Sequence, residues 1–303
     1  MRRPPVLAAV LLAALALLAA GCGGKGAAGS ESEIAFVTSR DGDYAIYGMR
    51  ADGSGEGRLT AGGDEEGTSP AETFFQTEPG WSPDGSKIVF ASLRDGRPHI
   101  YVMAAGGSGT TQLTSGKHED TAPAWSPDGR WIAFARDNTL FVMTPEGKEL
   151  RRVTTTLGGE EREPSWSPDG KWIAFVRREP EFTSREIWRV RSDGSDLERL
   201  TRLDASSYGP AWSQDGTRIV FVSNANDDRY QIYEIGATGK GLRRLTFQPG
   251  EYFDPSWSVD GKTLIFEHDG RVYTIVHGGS ENALTDGPND GSPTWRPVVP
   301  ASK

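Results

Sequence analysis

The chain has 303 residues and a formal charge of −9. That length can bury a large core in one domain, and an acidic balance without clustered Lys and Arg excludes a nucleic-acid footprint. A single cysteine, Cys22, excludes a disulfide framework and a cysteine-based metal cluster.

Residues 1–21 read as a targeting segment that takes no part in the fold. Arg2 and Arg3 form a positive start, and residues 6–20 are an unbroken apolar run. The run is shorter than the ~20 residues that a permanent transmembrane helix needs. It ends in Leu18-Ala19-Ala20-Gly21-Cys22, which resembles a bacterial lipobox, so Cys22 is the expected lipid attachment site. Residues 22–32 then read as the lipidated cysteine and a flexible, glycine-rich tether. Several acyl chains anchor stably where one does not.

From residue 33 the chain repeats. Ile34 and Phe36 open an Ile-x-Phe strand with no tryptophan ahead of it. Trp81 follows, inside Pro-Gly-Trp-Ser-Pro-Asp-Gly, with Ile88 and Phe90 shortly after. Variants of that phrase return at Trp125, Trp166, Trp212, Trp257 and Trp295, at intervals of 38 to 46 residues. Each of the first five precedes an apolar pair: Ile132/Phe134, Ile173/Phe175, Ile219/Phe221 and Leu264/Phe266 complete the series. A unit is therefore a strand carrying Trp, a tight turn, and a strand of alternating apolar residues. Ser-Pro-Asp-Gly suits a type I turn, with proline pre-setting φ and glycine favoured at the fourth position.

A third strand recurs at Ile46-Tyr47, Ile100-Tyr101, Leu140-Phe141, Ile187-Trp188, Ile232-Tyr233 and Val272-Tyr273. A fourth is expected at Leu59-Thr60, Leu113-Thr114, Val153-Thr154, Leu200-Thr201, Leu245-Thr246 and Leu284-Thr285. Four short strands per period of ~40–45 residues are the signature of a β-propeller. The two ends are complementary: Trp295 has no Ile-x-Phe after it, and Ile34 has no tryptophan before it. Pairing the Trp295 strand with the N-terminal three closes a ring without open edges. The expected fold is all-β: a six-bladed β-propeller over residues 33–297, with 298–303 as a tail.

The stretch from Phe36 to Gly55 (Phe-Val-Thr-Ser-Arg-Asp-Gly-Asp-Tyr-Ala-Ile-Tyr and onward), leading to Arg58-Leu-Thr, resembles the TolB-like propeller repeat. So do Pro123-Ala-Trp-Ser-Pro-Asp-Gly-Arg-Trp-Ile-Ala-Phe and its sisters, through the whole of residues 33–297. TolB carries a separate α/β domain ahead of its propeller and is not lipid-anchored, whereas residues 23–33 alone separate Cys22 from the first strand here. The resemblance thus implies a TolB-like (WD40-like) lipoprotein, not TolB itself. In such propellers the connections preceding each inner strand lie at one mouth of the central channel.

The non-repeating residues just ahead of each Pro-x-Trp are free to specialise. They are Glu78, Asp120, Glu161, Glu163, Tyr208, Tyr252, Asp254 and Asp290, and the resemblance implies that they converge as an acidic and aromatic rim. A ring of carboxylates would favour a bound divalent cation, a basic peptide segment, or raised carboxylate pKa values; solvated loop acids are the plainer alternative. The six tryptophans are read as structural fillers, and the turn aspartates as turn formers. Phe74-Phe75, in the longest connection, would either present a contact point or pin that loop onto the propeller.

Catalytic signatures are missing: no Gly-x-Ser-x-Gly, no His-Glu-x-x-His, no phosphate-binding loop. Of His99, His118, His268 and His277, His118 alone lies near the expected rim. The expectation is a non-enzymatic, lipid-anchored, extracytoplasmic module that binds or scaffolds an envelope protein or peptide, basic where it meets the rim. No cofactor is expected. The rival is a carbohydrate-active or hydrolytic enzyme using Asp120, Glu163 or Asp254 around a metal, and a third reading stacks a sugar on Tyr208 and Tyr252.

Overall fold

The computed structural model describes residues 33–60, 78–155, 158–226, 229–276 and 279–297. Cys22, the tether, Phe74-Phe75, His277 and the C-terminal tail lie outside them. The described residues form six four-stranded sheets and no helix. Blade one is Gly80–Trp81, Lys87–Ser92, His99–Ala104 and Thr111–Gln112. Blade two is Asp120–Trp125, Ile132–Arg136, Thr139–Met143 and Arg151–Arg152; blade three is Glu160–Trp166, Trp172–Arg178, Glu186–Arg191 and Glu198–Arg199. Blade four is Ser207–Trp212, Arg218–Ser223, Gln231–Gly236 and Arg243–Arg244; blade five is Tyr252–Trp257, Thr263–His268, Arg271–Val276 and Glu281–Ala283.

The sixth blade joins the two ends of the chain, as the unmatched halves require. Asp290–Trp295 pairs antiparallel with Ile34–Thr38, setting Ile34 opposite Trp295 and Thr38 opposite Asp290, and Ala45–Met49 and Gly57–Arg58 complete it. Inner strands touch their neighbours in succession, and the inner strand of blade six touches that of blade one. The ring is closed.

Packing follows from the Ile-x-Phe strands. Phe36, Phe90, Phe134, Phe175, Phe221 and Phe266 are all fully buried, one per blade. Each burial contributes roughly 1.5–3 kcal/mol. The apolar clusters bridge adjacent blades; one joins Ala35, Ile46 and Leu59 of blade six to Trp81, Ile88 and Phe90 of blade one. Trp81, Trp212 and Trp257 are buried, and Trp125, Trp166 and Trp295 pack half-buried at equivalent places.

The turn after each tryptophan has its own hydrogen-bonded logic. In blade one Gly85 N–H donates to the Ser82 carbonyl, closing the turn, with Gly85 at φ +65. The Ser82 hydroxyl donates to the Asp84 carboxylate at 2.6 Å and accepts the Lys87 N–H at 2.9 Å. The same serine–aspartate pair recurs at Ser126–Asp128, Ser167–Asp169, Ser213–Asp215 and Ser258–Asp260. These aspartates are turn formers.

The outermost strand differs from expectation. The ladder lies just ahead of each Leu-Thr, as in Gly57–Arg58 before Leu59-Thr60. Leu59 instead turns into the core, and the Thr60 hydroxyl accepts the Ile46 N–H at 3.0 Å. Thr114, Thr201, Thr246 and Thr285 do the same in four other blades. A hydroxyl thus ends the outer strand of five blades by capturing the donor the ladder would have used, and in blade two the Glu161 carboxylate takes that donor, Leu140 N–H, instead.

Candidate functional site

β-Bulges in the inner strands of blades two to six build the site. Register shifts fall between Thr121 and Ala124, Arg162 and Ser165, Tyr208 and Ala211, and Phe253 and Ser256, each around the proline of Pro-x-Trp. Proline disfavours the right-handed helical region for the residue before it, and at the bulge that residue turns left-handed. Ala122, Glu163, Gly209, Asp254 and Ser292 have φ of 53, 54, 58, 48 and 46. Such a conformation costs a non-glycine residue on the order of 1–3 kcal/mol, and a bulge re-aims the side chain. Here it sends the pre-proline residue of those five blades into the axis, where Glu78 of blade one joins them.

Those residues and their prolines, from all six blades, line a cavity of about 150 Å³. Blades one, three and five supply Glu78, Glu163 and Asp254; blades two, four and six supply Ala122, Gly209 and Ser292. Acidic and small side chains therefore alternate around the axis. Two residues further on, every blade is small: Gly80, Ala124, Ser165, Ala211, Ser256 and Thr294.

Burial raises the proton affinity of all three acids, because a charged carboxylate loses its water. Glu78 is pushed well above the usual carboxylate range by burial first, then by the negative charge of Glu163 and Asp254, with Arg162 opposing. Glu163 is raised to about 7, again by burial first; Gly209 N–H, donating to its Oε2 at 2.7 Å, pulls the other way. Asp254 is raised by burial against the Ser292 hydroxyl, which donates to Oδ2 at 2.9 Å.

A fourth acid belongs to this neighbourhood. Glu267 takes the place that Val37, Ala91, Ala135, Val176 and Val222 hold in the other blades. It is raised to about 8 by burial, then by repulsion from Asp254, Asp290 and Asp269. Gly291 makes room for it: any side chain there would strike the Glu267 carboxylate. Among the described residues, no three His, Cys, Asp or Glu stand arranged to hold a metal ion.

The other expected rim residues face elsewhere. Asp120, Glu161, Tyr252 and Asp290 sit two residues earlier than the axial ones, on the far side of the bulge, and all are buried. Asp120 takes Arg136 Nε and Nη2 at 2.6 and 2.8 Å. Glu161 takes Arg177 at 2.6 Å and the Leu140 N–H, while Asp290 takes Arg40 at 2.9 Å. Tyr252 stacks on His268 at 4.1 Å and donates its hydroxyl to Glu281 at 2.6 Å. Its neighbour Phe253 instead joins an aromatic row with Tyr230 and Tyr208, at 5.6 Å between successive rings. Arg185 caps that row, donating to the Tyr208 hydroxyl at 3.1 Å. His118 is solvent-facing and pairs with Asp137 at 2.5 Å. Of the eight expected side chains, the axial cavity collects Glu78, Glu163 and Asp254.

The fold has known counterparts. Residues 68–184 and 180–299 match the model of the TolB beta propeller domain. The Tol-Pal system protein TolB of Syntrophus aciditrophicus is 34% identical over 89 residues, 28% of this chain and 18% of that protein. This chain thus aligns with less than a fifth of that relative's length. Among solved structures, TolB from Acinetobacter baumannii superposes with a TM-score of 0.71 at 23% identity, covering 88% of this chain and 67% of that one. An oligogalacturonate lyase in complex with manganese superposes less closely, with a TM-score of 0.54 at 17% identity over 71% of this chain and 65% of its own. Six closed blades, the repeated Trp phrase and a family match across most of the chain agree: the chain belongs to the TolB beta propeller domain family.

Proposed function

We propose that this chain is a non-enzymatic binding or scaffolding module of the cell envelope, extracytoplasmic and lipid-anchored through Cys22, whose axial cavity receives a basic segment of a protein or peptide. The observation that carries this reading is the trio Glu78, Glu163 and Asp254, brought together half-buried in one cavity on alternate blades. Buried acids of one sign relax when a cation enters, either by releasing their protons or by losing their mutual repulsion. Size narrows the class of guest. Small-molecule sites usually enclose about 300–1,000 Å³, and this cavity holds about 150 Å³. It suits one lysine or arginine side chain better than a sugar ring. The kinship with proteins named for the Tol-Pal system supports the envelope location.

The test is cross-linking of the chain in its native envelope beside an E163Q/D254N variant, which keeps shape and removes charge. A partner captured by the parent and lost from the variant is the expected result. A partner captured equally by both refutes the axial site.

One observation favours a second reading. A carboxyl poised near pH 7, as Glu163 is, has the proton affinity of a general acid. Under that reading Glu163 and Asp254 serve a hydrolytic or carbohydrate-active reaction. Turnover of envelope polysaccharide abolished by D254N would establish it over the binding role.

A further inference from the structure

The surroundings of the axial cavity are not the same on every side. The strand position just ahead of the axial residue holds Thr121 in blade two, Arg162 in blade three and Gly291 in blade six. In blades four and five it holds the rings of Tyr208 and Phe253, and Tyr230 stands between them. Large apolar side chains exposed at this end of the strands follow the same bias. Among the described residues they are Phe182, in the hairpin of blade three, and Phe247, in the connection from blade four to blade five; Phe247 is 74% exposed. That connection is bonded to the structure around Tyr230, whose N–H donates to Glu251 at 2.7 Å and whose neighbour Gln231 donates to the Gly250 carbonyl at 3.1 Å. Apolar surface is thus gathered over one sector of the face.

The row offers ring surface and little else. Arg185 donates to the Tyr208 hydroxyl at 3.1 Å, and the Tyr230 hydroxyl is hydrogen-bonded to it as well. A sugar would find those hydroxyls already engaged. Successive rings are inclined, by 71° between Tyr208 and Tyr230 and by 45° between Tyr230 and Phe253. All three are half-buried, so part of each stays open. Inclined rings with an open side accept a further ring, edge to face or offset.

The row begins at the acids. Phe253 precedes Asp254, and Tyr208 precedes Gly209, whose N–H holds Glu163 at 2.7 Å. We infer that Tyr208, Tyr230 and Phe253 form a second subsite, which seats an aromatic side chain one or two positions from the lysine or arginine entering the axis. This rests on the cationic reading of the cavity: the acids select the charge and the row selects the ring. Both subsites are built by consecutive residues of one strand, which suits the ~7 Å between side chains two apart on an extended chain. The partner is a peptide segment carrying a basic–aromatic pair, not one recognised by charge alone.

Selection of random heptapeptides displayed on phage against the immobilised protein tests the pair. The parent should enrich sequences with Lys or Arg within two positions of Phe, Tyr or Trp. A Y208T/F253T variant, carrying the residue that blade two holds at Thr121, should keep the basic preference and lose the aromatic one severalfold. Y230A, run in parallel, should shift the selection the same way, and E163Q/D254N should lose the basic preference. Cooperative thermal unfolding of each variant shows that it is folded. Basic sequences with no aromatic preference in the parent, or an aromatic preference unchanged in both row variants, overturn the second subsite and leave the cavity reading standing. Aromatic sequences without a basic residue overturn the cavity reading and the pair with it, and enrichment of neither overturns both.

Discussion

Replacing Glu163 by glutamine should make the protein more stable, and only above acidic pH. Glu163 is held at about 7 in the fold by burial, well above the 4.5 of an ordinary glutamate. Its native form therefore binds more protons than its unfolded form between those values, so stability falls as pH rises through that window and is flat above it. One pKa step is worth about 1.4 kcal/mol, which puts the full loss at roughly 3 kcal/mol by pH 8. Glutamine keeps an oxygen for the Gly209 N–H and has no charge to bury. It also removes one repulsion from Glu78. At pH 8 the variant's midpoint should rise by roughly 6–12 °C, taking 2–4 °C per kcal/mol for a domain of this size. At pH 4.5 parent and variant should melt together. Thermal unfolding of both proteins at the two pH values decides it. A variant no more stable than the parent at pH 8, or equally stabilised at both, would falsify the claim that Glu163 is a buried acid at the axis.

Asp120→Ala should cost about 3 kcal/mol, because it removes the buried carboxylate and strands the half-buried Arg136 guanidinium without its bidentate partner; denaturant unfolding measures it. The same change should leave capture at the axial cavity intact, separating this structural carboxylate from Glu163. Ending the chain before Asp290 removes the strand that covers Ile34–Thr38, exposing an edge that contains Ile34 and Phe36. That truncated chain should lose cooperative unfolding and self-associate, read by light scattering.

The blade count and the closing pair could be read directly from the sequence, because each inner strand writes its own tryptophan phrase and each second strand its own Ile-x-Phe. The turn chemistry was equally open, since Ser, Asp and Gly sit at the positions a type I turn assigns them. The rim was only partly legible. Strand residues alternate sides with a period of two, and the bulge inserts one extra residue at the pre-proline position. A reader without the bulge cannot tell Glu161 from Glu163, or Tyr252 from Phe253. One member of each pair enters the interior of the sheets and the other enters the axis or the aromatic row. Glu267 left a signal that aligning the second strands would have shown: a carboxylate in a column of valine and alanine.

The left-handed pre-proline residue appears whether its side chain is Ala122, Ser292, Glu163 or Asp254. Strain of that kind is therefore a property of the repeat and not of the acids. The blades hold the backbone in place through their own ladders and buried phenylalanines, so the bulge does not depend on the axial side chain, although Glu163 and Asp254 each accept one hydrogen bond from the next blade. The bulge itself does not ask for Glu163 or Asp254; small residues fill the same positions in blades two, four and six without disturbing it. Three acids that lower stability at neutral pH, at positions where alanine and serine are accommodated, are the residues to expect where binding and folding make opposite demands. The Glu163 substitution measures both sides of that conflict at once: the midpoint rises as the charge is removed, and the captured partner is lost with it.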